Sequence, residues 1–473
     1  MPHDSAPPPA LTRTLAGWVA GLRPEEVPDG VQQHLRLLLL DCLGAGLQGQ
    51  GLPWTQAVAT WAERQRPAPG GGLASRWGSR HPALRPGDAA LVNGVAAHGF
   101  ELDDFHNAKL HPGAVVVPAV LALAEARSLA GPRLTSAIAA GYEVMIRLVL
   151  ALGPSEARLR GWHLTGICGS IGAAAASAHL LGLDAERTAW ALGLGGTQSS
   201  GLFAFTADGS MSKRLHAGRA AQSGILAAEL AELDFSGPTQ LLEAEDGGWL
   251  RAFRSDAGAA ELLRGLGSDW RAQETSFKPH ACCGSLHAHV DAALELRRDW
   301  SPDRPVRVGL PQVVQVQCGY PYESGSVLNA QMSARYCVAV ALLDGQALPA
   351  QFTAERIADP AVTRLAQRIE LVVDEELDGL YPTHFCGWVE VAPHREGRPA
   401  ERVFRKDPSG NPGQAGWSQR LREKFLALAG AHGTESAAQG VIEAVEGGAF
   451  PDPSALRTRL ADLAAPAAPG GTP

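Results

Sequence analysis

The residues best suited to chemistry stand in four separated stretches. The first, Glu101 to Pro118 (ELDDFHNAKLHPGAVVVP), follows the adjacent carboxylates Asp103 and Asp104 with His106, Lys109 and His111, then breaks at Pro-Gly. The second, RGWHLTGICG, puts His163 and Thr165 in a loop before an Ala-rich helix, Ile171 to Leu181, at whose N-terminus free amides and the helix dipole favour an anion. The third, DGSMSKRLHAGRAAQSG, sets Lys213 and His216 three residues apart on one helical face. The fourth, SFKPHACCGSLHAH, carries Lys278, His280, Cys282 and Cys283. Carboxylates, imidazoles and ammoniums are the parts of a proton-transfer site. Imidazoles titrate near neutrality, and ammoniums offset the charge that develops when a proton beside a carboxylate moves. Singly, each stretch has a plainer reading: a helix cap, a bystander histidine, a surface lysine, an inert buried thiol. Together they suit a site that binds a di- or tricarboxylate and moves a proton next to one of its carboxylates.

Other chemistries fit less well. Cys282-Cys283 with His287 and His289 lacks the spacing of a zinc site, and two residues apart on a helix point about 200° from each other. A cysteine nucleophile at 282 or 283, its pKa lowered by Lys278 and His280, stays open. GLGGTQSSG (193–201) lacks a preceding strand and a Walker lysine, so it reads as a helix-breaking turn. Neither a metal nor an organic cofactor is expected.

The elements that must position these groups are mostly helical. Spacing typical of helices begins at Leu11, after a proline-rich start (1–9) read as a loose tail. Gly30 to Gly46 is nearly all apolar beyond Leu37, as in a helix buried on most faces. Ala89 to His98 is a small-residue helix leading into the acidic stretch. Glu143 and Arg147, four apart, pair on one helix face. Between about 272 and 405 the pattern turns mixed. Val306–Gln317, Ile369–Asp374 and Trp388–Ala392 read as strands, with a helix over 331–343 and a turn at Gly345. The expected fold class is therefore mainly α: a helical domain built from residues 10–271 and 406–465, with an inserted smaller α+β domain at 272–405. The Ala/Pro/Gly-rich end reads as disordered.

Composition sets the bounds. The chain has 473 residues, 45% hydrophobic and 19% charged, enough for a large core. A formal net charge of −8 argues against a nucleic-acid partner. Seven cysteines are too sparse for a disulfide framework, and the start lacks the layout of an export signal; both point to the cytoplasm. No uninterrupted apolar run reaches about 18 residues, so no membrane span is expected.

The motifs ELDDFHNAKLHPGA, RGWHLTG with GAAAASAHLLGLD, SMSKRLHAGRAAQSG, FKPHACCGSLHAHVDAA and NAQMSARYCVAVALLDG, in this order over about residues 11 to 430, resemble the MmgE/PrpD family. That family includes 2-methylcitrate dehydratase, cis-aconitate decarboxylase and iminodisuccinate epimerase. The resemblance implies a helical domain assembled from both chain ends, an α+β lid, a homodimer, and catalysis without metal or organic cofactor. It also implies an active site between domain and lid. His111 matches the histidine of the D-D-x6-H-P motif, His163 that of G-x-H, Lys213 the lysine of S/T-K-x-x-H, and Lys278 the lid lysine. Decarboxylase-type members carry threonine where Phe105 stands and histidine where an ungapped count reaches Cys283; Glu101 replaces an aspartate. These departures count against decarboxylation of cis-aconitate and do not decide between dehydration and epimerisation; dehydration of a 2-methylcitrate-like acid is the first expectation, with epimerisation or decarboxylation of a related polycarboxylate as alternatives. A non-catalytic carboxylate-binding protein on the same fold is the alternative of another class. The expected roles are proton transfer by Asp104, His111 or His163, and charge stabilisation by Lys213 and Lys278. Asp103, Thr165, His216, His280 and Cys283 are expected to orient or bind the substrate.

Overall fold

A computed structural model describes residues 10–65, 73–80, 83–254, 258–392, 400–430, 432–447 and 450–463. The two tails expected to be loose lie outside these residues. Small residues explain the helical core. In the crossing of Pro86–Ala97 with Ser212–Glu232, a methyl added at Gly218 would stand 2.3 Å from the Leu91 carbonyl oxygen. Where Ser212–Glu232 meets Leu164–Leu181, one added at Gly224 would stand 2.3 Å from the Ala173 side chain. These helices touch backbone to backbone, which only glycine and alanine allow. The packing brings helix ends together. His98 caps the end of Pro86–Ala97, His163 caps the start of Leu164–Leu181, Lys213 opens Ser212–Glu232, and His111 precedes Gly113–Arg127.

Both chain ends feed one apolar core, in which Leu15 and Leu39 join Phe425 and Leu456. The Asp29–Gly49 helix packs on Trp417–Gly430, and Asp41 within it receives a 2.6 Å hydrogen bond from Lys424. Burial, only partly offset by Lys424, pushes the Asp41 carboxyl up to about 6. Glu143 and Arg147 pair at 2.8 Å as their spacing predicts.

A second core, including Val290, Val308, Val338 and Val389, surrounds a four-stranded sheet. Its strands are β1 (Val306–Leu310), β2 (Glu370–Val373), β3 (Gly387–Val391) and β4 (Glu401–Arg405), in the order β2-β1-β3-β4. β1 runs parallel to β2, with Val308 opposite Leu371, and antiparallel to β3, with Val308 opposite Val389. β3 pairs antiparallel with β4, Val389 facing Val403. The fold is mainly α, as expected. Two local readings are corrected. The alternating run 306–317 is a strand only to Leu310; Pro311 has no N–H for the ladder, and Gln312–Cys318 turns helical. Thr165 lies within the helix that His163 caps, not in a preceding loop.

Two helices, Arg133–Leu152 and Leu164–Leu181, are long and apolar enough to cross a membrane, yet both are almost wholly buried inside the fold. They are the helices around which the others pack.

Candidate active site

Glu101 is the centre of the site. It adopts φ +55, a left-handed conformation that a residue with a side chain seldom takes and that often marks a functional constraint. One of its carboxylate oxygens accepts a hydrogen bond from Lys213; the other accepts from Lys278 at 2.7 Å. All three side chains are buried. Burial first, then the neighbouring Lys278 ammonium, pushes Lys213 well below the ordinary lysine range. Glu101, touching both, is the counter-charge that lets two ammoniums share a dry site. Sequence reading noted Glu101 only as a replacement for aspartate; the available signal was a third acid two residues before the Asp pair.

Asp103 orients imidazoles. Its Oδ2 accepts from His98 Nδ1 at 2.6 Å and lies 3.3 Å from His111 Nδ1, while Lys278 stands 3.9 Å from Oδ1. Burial opposes its ionisation, but His98, His111 and Lys278 outweigh it and hold the carboxyl well below the usual range. His111 Nδ1 also lies 2.8 Å from the Asp104 carbonyl oxygen. A carbonyl only accepts, so Nδ1 carries a proton, and Nε2 is the nitrogen left to exchange one. Thr165 Oγ1 accepts the His111 backbone N–H at 3.2 Å, fixing that residue from behind. His98, overlooked in the sequence because it ends a bland helix, is pushed by burial down to about 3 despite Asp103. His98, Asp103 and His111 offer three metal-type donors within 4.8 Å, but both Nδ1 atoms point at the carboxylate, as in an acid positioning bases.

His163 and His216 form a pair, Nδ1 to Nδ1 at 2.9 Å. Burial, then His216 and His98, pushes His163 well below its ordinary value; burial takes His216 to about 4. Both rings are therefore neutral at pH 7, one donating Nδ1–H and the other accepting. His98 stands between His111 and His163, edge-on to the first with ring centres 4.7 Å apart and stacked on the second at 5.7 Å.

A cavity opens over these groups, with Glu101, His111, His163 and Lys213 in its wall. Phe105 and Cys283 also line it. A hydrogen bond with Cys318 draws the Cys283 thiol well below the ordinary range; burial opposes this and Lys278 adds to it. Cys282 is fully buried and pushed well above that range by burial. Lys278 sits behind the wall, reaching the cavity through Glu101.

Two expected site residues are placed elsewhere. Asp104 turns into the core, Oδ1 accepting from the Gly113 N–H (2.9 Å) and Oδ2 from the Tyr142 hydroxyl (2.6 Å). Its carboxyl is pushed up to about 7 by burial, but the proton it holds is sealed from the cavity. Its part is to anchor the Gly113–Arg127 helix behind His111. His280 bonds to Asp291 at 2.9 Å, and Asp291 also receives the Ser409 N–H. That ring joins the 278–283 segment to the chain's return at 409, outside the cavity wall. The residues that do converge, Glu101, His111, His163, Lys213 and Lys278, come from stretches up to 177 positions apart.

Comparison with known proteins gives the family. Residues 13–261 match the MmgE/PrpD N-terminal domain, and residues 280–447 match the MmgE/PrpD C-terminal domain. The chain belongs to the MmgE/PrpD family. A cis-aconitate decarboxylase-like protein of Aspergillus oryzae is 32% identical over 90% of this chain and 92% of its own length. The cis-aconitate decarboxylase of Aspergillus terreus is 29% identical over 94% of each chain. That of Homo sapiens is 30% identical over 76% of each. The expectation of an MmgE/PrpD enzyme, a lyase or isomerase, is borne out. The site just described is where an MmgE/PrpD member of this sequence brings its widely separated acids and bases together.

Proposed function

We propose that the chain is a lyase that removes CO2 from a cis-aconitate-like tricarboxylate. The observation that carries this is the joint one. Relatives spanning most of the chain bear the name cis-aconitate decarboxylase, and a cavity here presents a free imidazole nitrogen beside paired lysines. These relatives favour decarboxylation, the alternative, over the dehydration expected first, despite the Phe105 and Cys283 departures. In such a reaction the allylic C–CO2 bond breaks, its electron pair becomes the new double bond, and the old double bond's electrons take a proton at the vinylic carbon. The atoms balance as one proton taken up and one CO2 released. His111 Nε2 is the nitrogen left to carry that proton, with Asp103 holding the ring. Lys213 offsets the charge on the carboxylate next to the protonated carbon, where a dry site makes such an interaction strong. His163 lines the same cavity, with His216 bonded to it from behind. Homodimeric assembly and a cytoplasmic location belong to the same proposal.

The test is incubation of the purified protein in D2O with cis-aconitate and, separately, 2-methylcitrate, followed by NMR. Decarboxylation gives CO2 and a product carrying one deuterium; H111Q, folded, is expected to lose about 10²–10⁴ of the rate. Water loss from 2-methylcitrate without CO2 release from cis-aconitate would replace the proposal with a dehydratase. Binding of both with neither reaction nor deuterium uptake would leave only a carboxylate-binding protein.

A further inference from the structure

The lysines at the centre of the site are matched by acids: Glu101 bonds to both, and Asp103 lies 3.9 Å from Lys278. The same cavity has a second cationic wall that is not matched. Arg158 lines it from the short helix Pro154–Leu159, its guanidinium 3.3 Å above the centre of the Phe203 ring. Its Nε is buried with no hydrogen-bond partner, and among the described residues no carboxylate pairs with it. Lys109 lines the cavity as well. Its ammonium reaches only the Tyr381 phenol, at 2.7 Å from the oxygen and 4.2 Å from the ring centre. Lys109 is presented by a tight turn, its N–H bonding the His106 carbonyl at 2.8 Å, in a left-handed conformation with φ +67. That backbone is unfavourable for a lysine and is retained where something else requires it. Burial, with Arg158 contributing, holds the ammonium down to about 7.

Two cations facing a cavity with no carboxylate opposite them, and only the Cys283 thiol in the same wall to offset them, are costly to keep there. A guanidinium stacked on an aromatic ring keeps its in-plane donors free for the two oxygens of a carboxylate. We infer that Arg158, with Lys109, seats a second substrate carboxylate remote from the one beside His111 and Lys213, making the site selective for tricarboxylates over dicarboxylates. The inference rests on the proposed carboxylate-lyase reading and adds the residues that choose the substrate class.

The experiment measures binding, so it does not depend on turnover. Titration calorimetry compares two unreactive probes, propane-1,2,3-tricarboxylate and pentanedioate, on the wild type, R158Q, R158K and K109M. The wild type is expected to bind the tricarboxylate at least ten-fold more tightly. R158Q is expected to lose about ten-fold or more on the tricarboxylate and less than two-fold on pentanedioate, with R158K recovering part. K109M is expected to shift the ratio the same way and decides the question if R158Q proves unfolded by circular dichroism. Equal affinity of the wild type for both probes, or equal losses on both probes in a folded variant, overturns the inference. A wild type that releases no CO2 from cis-aconitate yet shows the Arg158-dependent ratio leaves this inference standing and removes only the proposed reaction.

Discussion

Replacing Glu101 with glutamine keeps its size and removes one charge from between two ammoniums. Both lysines are buried, so neither finds water as a substitute partner. Breaking a buried ion pair by removing one partner costs about 3–5 kcal/mol. The alternative is for one lysine to give up its proton. From an ordinary value of 10.5, that costs at most about 5 kcal/mol at pH 7, at about 1.4 kcal/mol per pKa unit. The two routes agree. For 473 residues melting as one unit, at roughly 2 cal/mol/K per residue, the loss lowers Tm by about 3–5 °C. Its pH dependence follows from the Lys213 shift. A lysine whose folded value is depressed binds fewer protons folded than unfolded, so stability rises with pH between its folded value and 10.5. E101Q takes a carboxylate from beside Lys213 and depresses that lysine further; the part of its deficit that acts through Lys213 is lost as pH rises through the wild-type folded value, so the deficit does not grow between pH 7 and pH 9.5. Scanning calorimetry of both proteins at the two pH values is the assay, with turnover measured alongside. An E101Q protein within 1 °C of the wild type at pH 7, or a deficit that grows with pH, would refute the reasoning.

Asp104 gives the opposite sign. Its folded value is raised to about 7, so the stability it contributes is fully present below 3.8 and is lost as pH rises towards 7. D104N avoids that loss, by roughly 4 kcal/mol at most, less whatever the amide forfeits at Tyr142. Its Tm relative to the wild type is expected to climb between pH 4.5 and 7.5; a flat difference would show that Asp104 is not protonated in the folded chain. G218A tests the helix crossing that carries Lys213, because the added methyl would stand 2.3 Å from the Leu91 carbonyl. Overpacking of this kind costs about 1–3 kcal/mol. Urea unfolding should show that loss together with reduced turnover, and an unchanged midpoint would mean the crossing yields without cost.

Much of the site's content was readable along the chain. The acid pair, His111, His163, Lys213 and Lys278 each stood out as polar groups at the margins of apolar helices, and all of these but Asp104 converge. What could not be read was direction. Asp103 and Asp104 are neighbours of the same chemistry, yet one faces the imidazoles and the other is sealed beneath Tyr142. Which way each points depends on the bend between Glu101 and Gly113, and that bend is set by contacts with segments far away in the chain. His280 and Thr165 were singled out for their type, but an Asp291 partner and a backbone N–H claim them. Arg158 carried no signal, because either arginine of SEARLRG looks like surface until Phe203 is found beneath the first.

The sequence by itself determined the helical class, the strands near 370 and 388 and the inventory of titratable groups, because periodicity and side-chain chemistry are local properties. Only the tertiary structure decided that Glu101, through a left-handed backbone, meets lysines 112 and 177 residues away. It also decided which His111 nitrogen is left free. A buried charge takes its value from whatever stands a few ångströms off, and in this fold those neighbours are brought in by glycine-packed helices from distant parts of the chain.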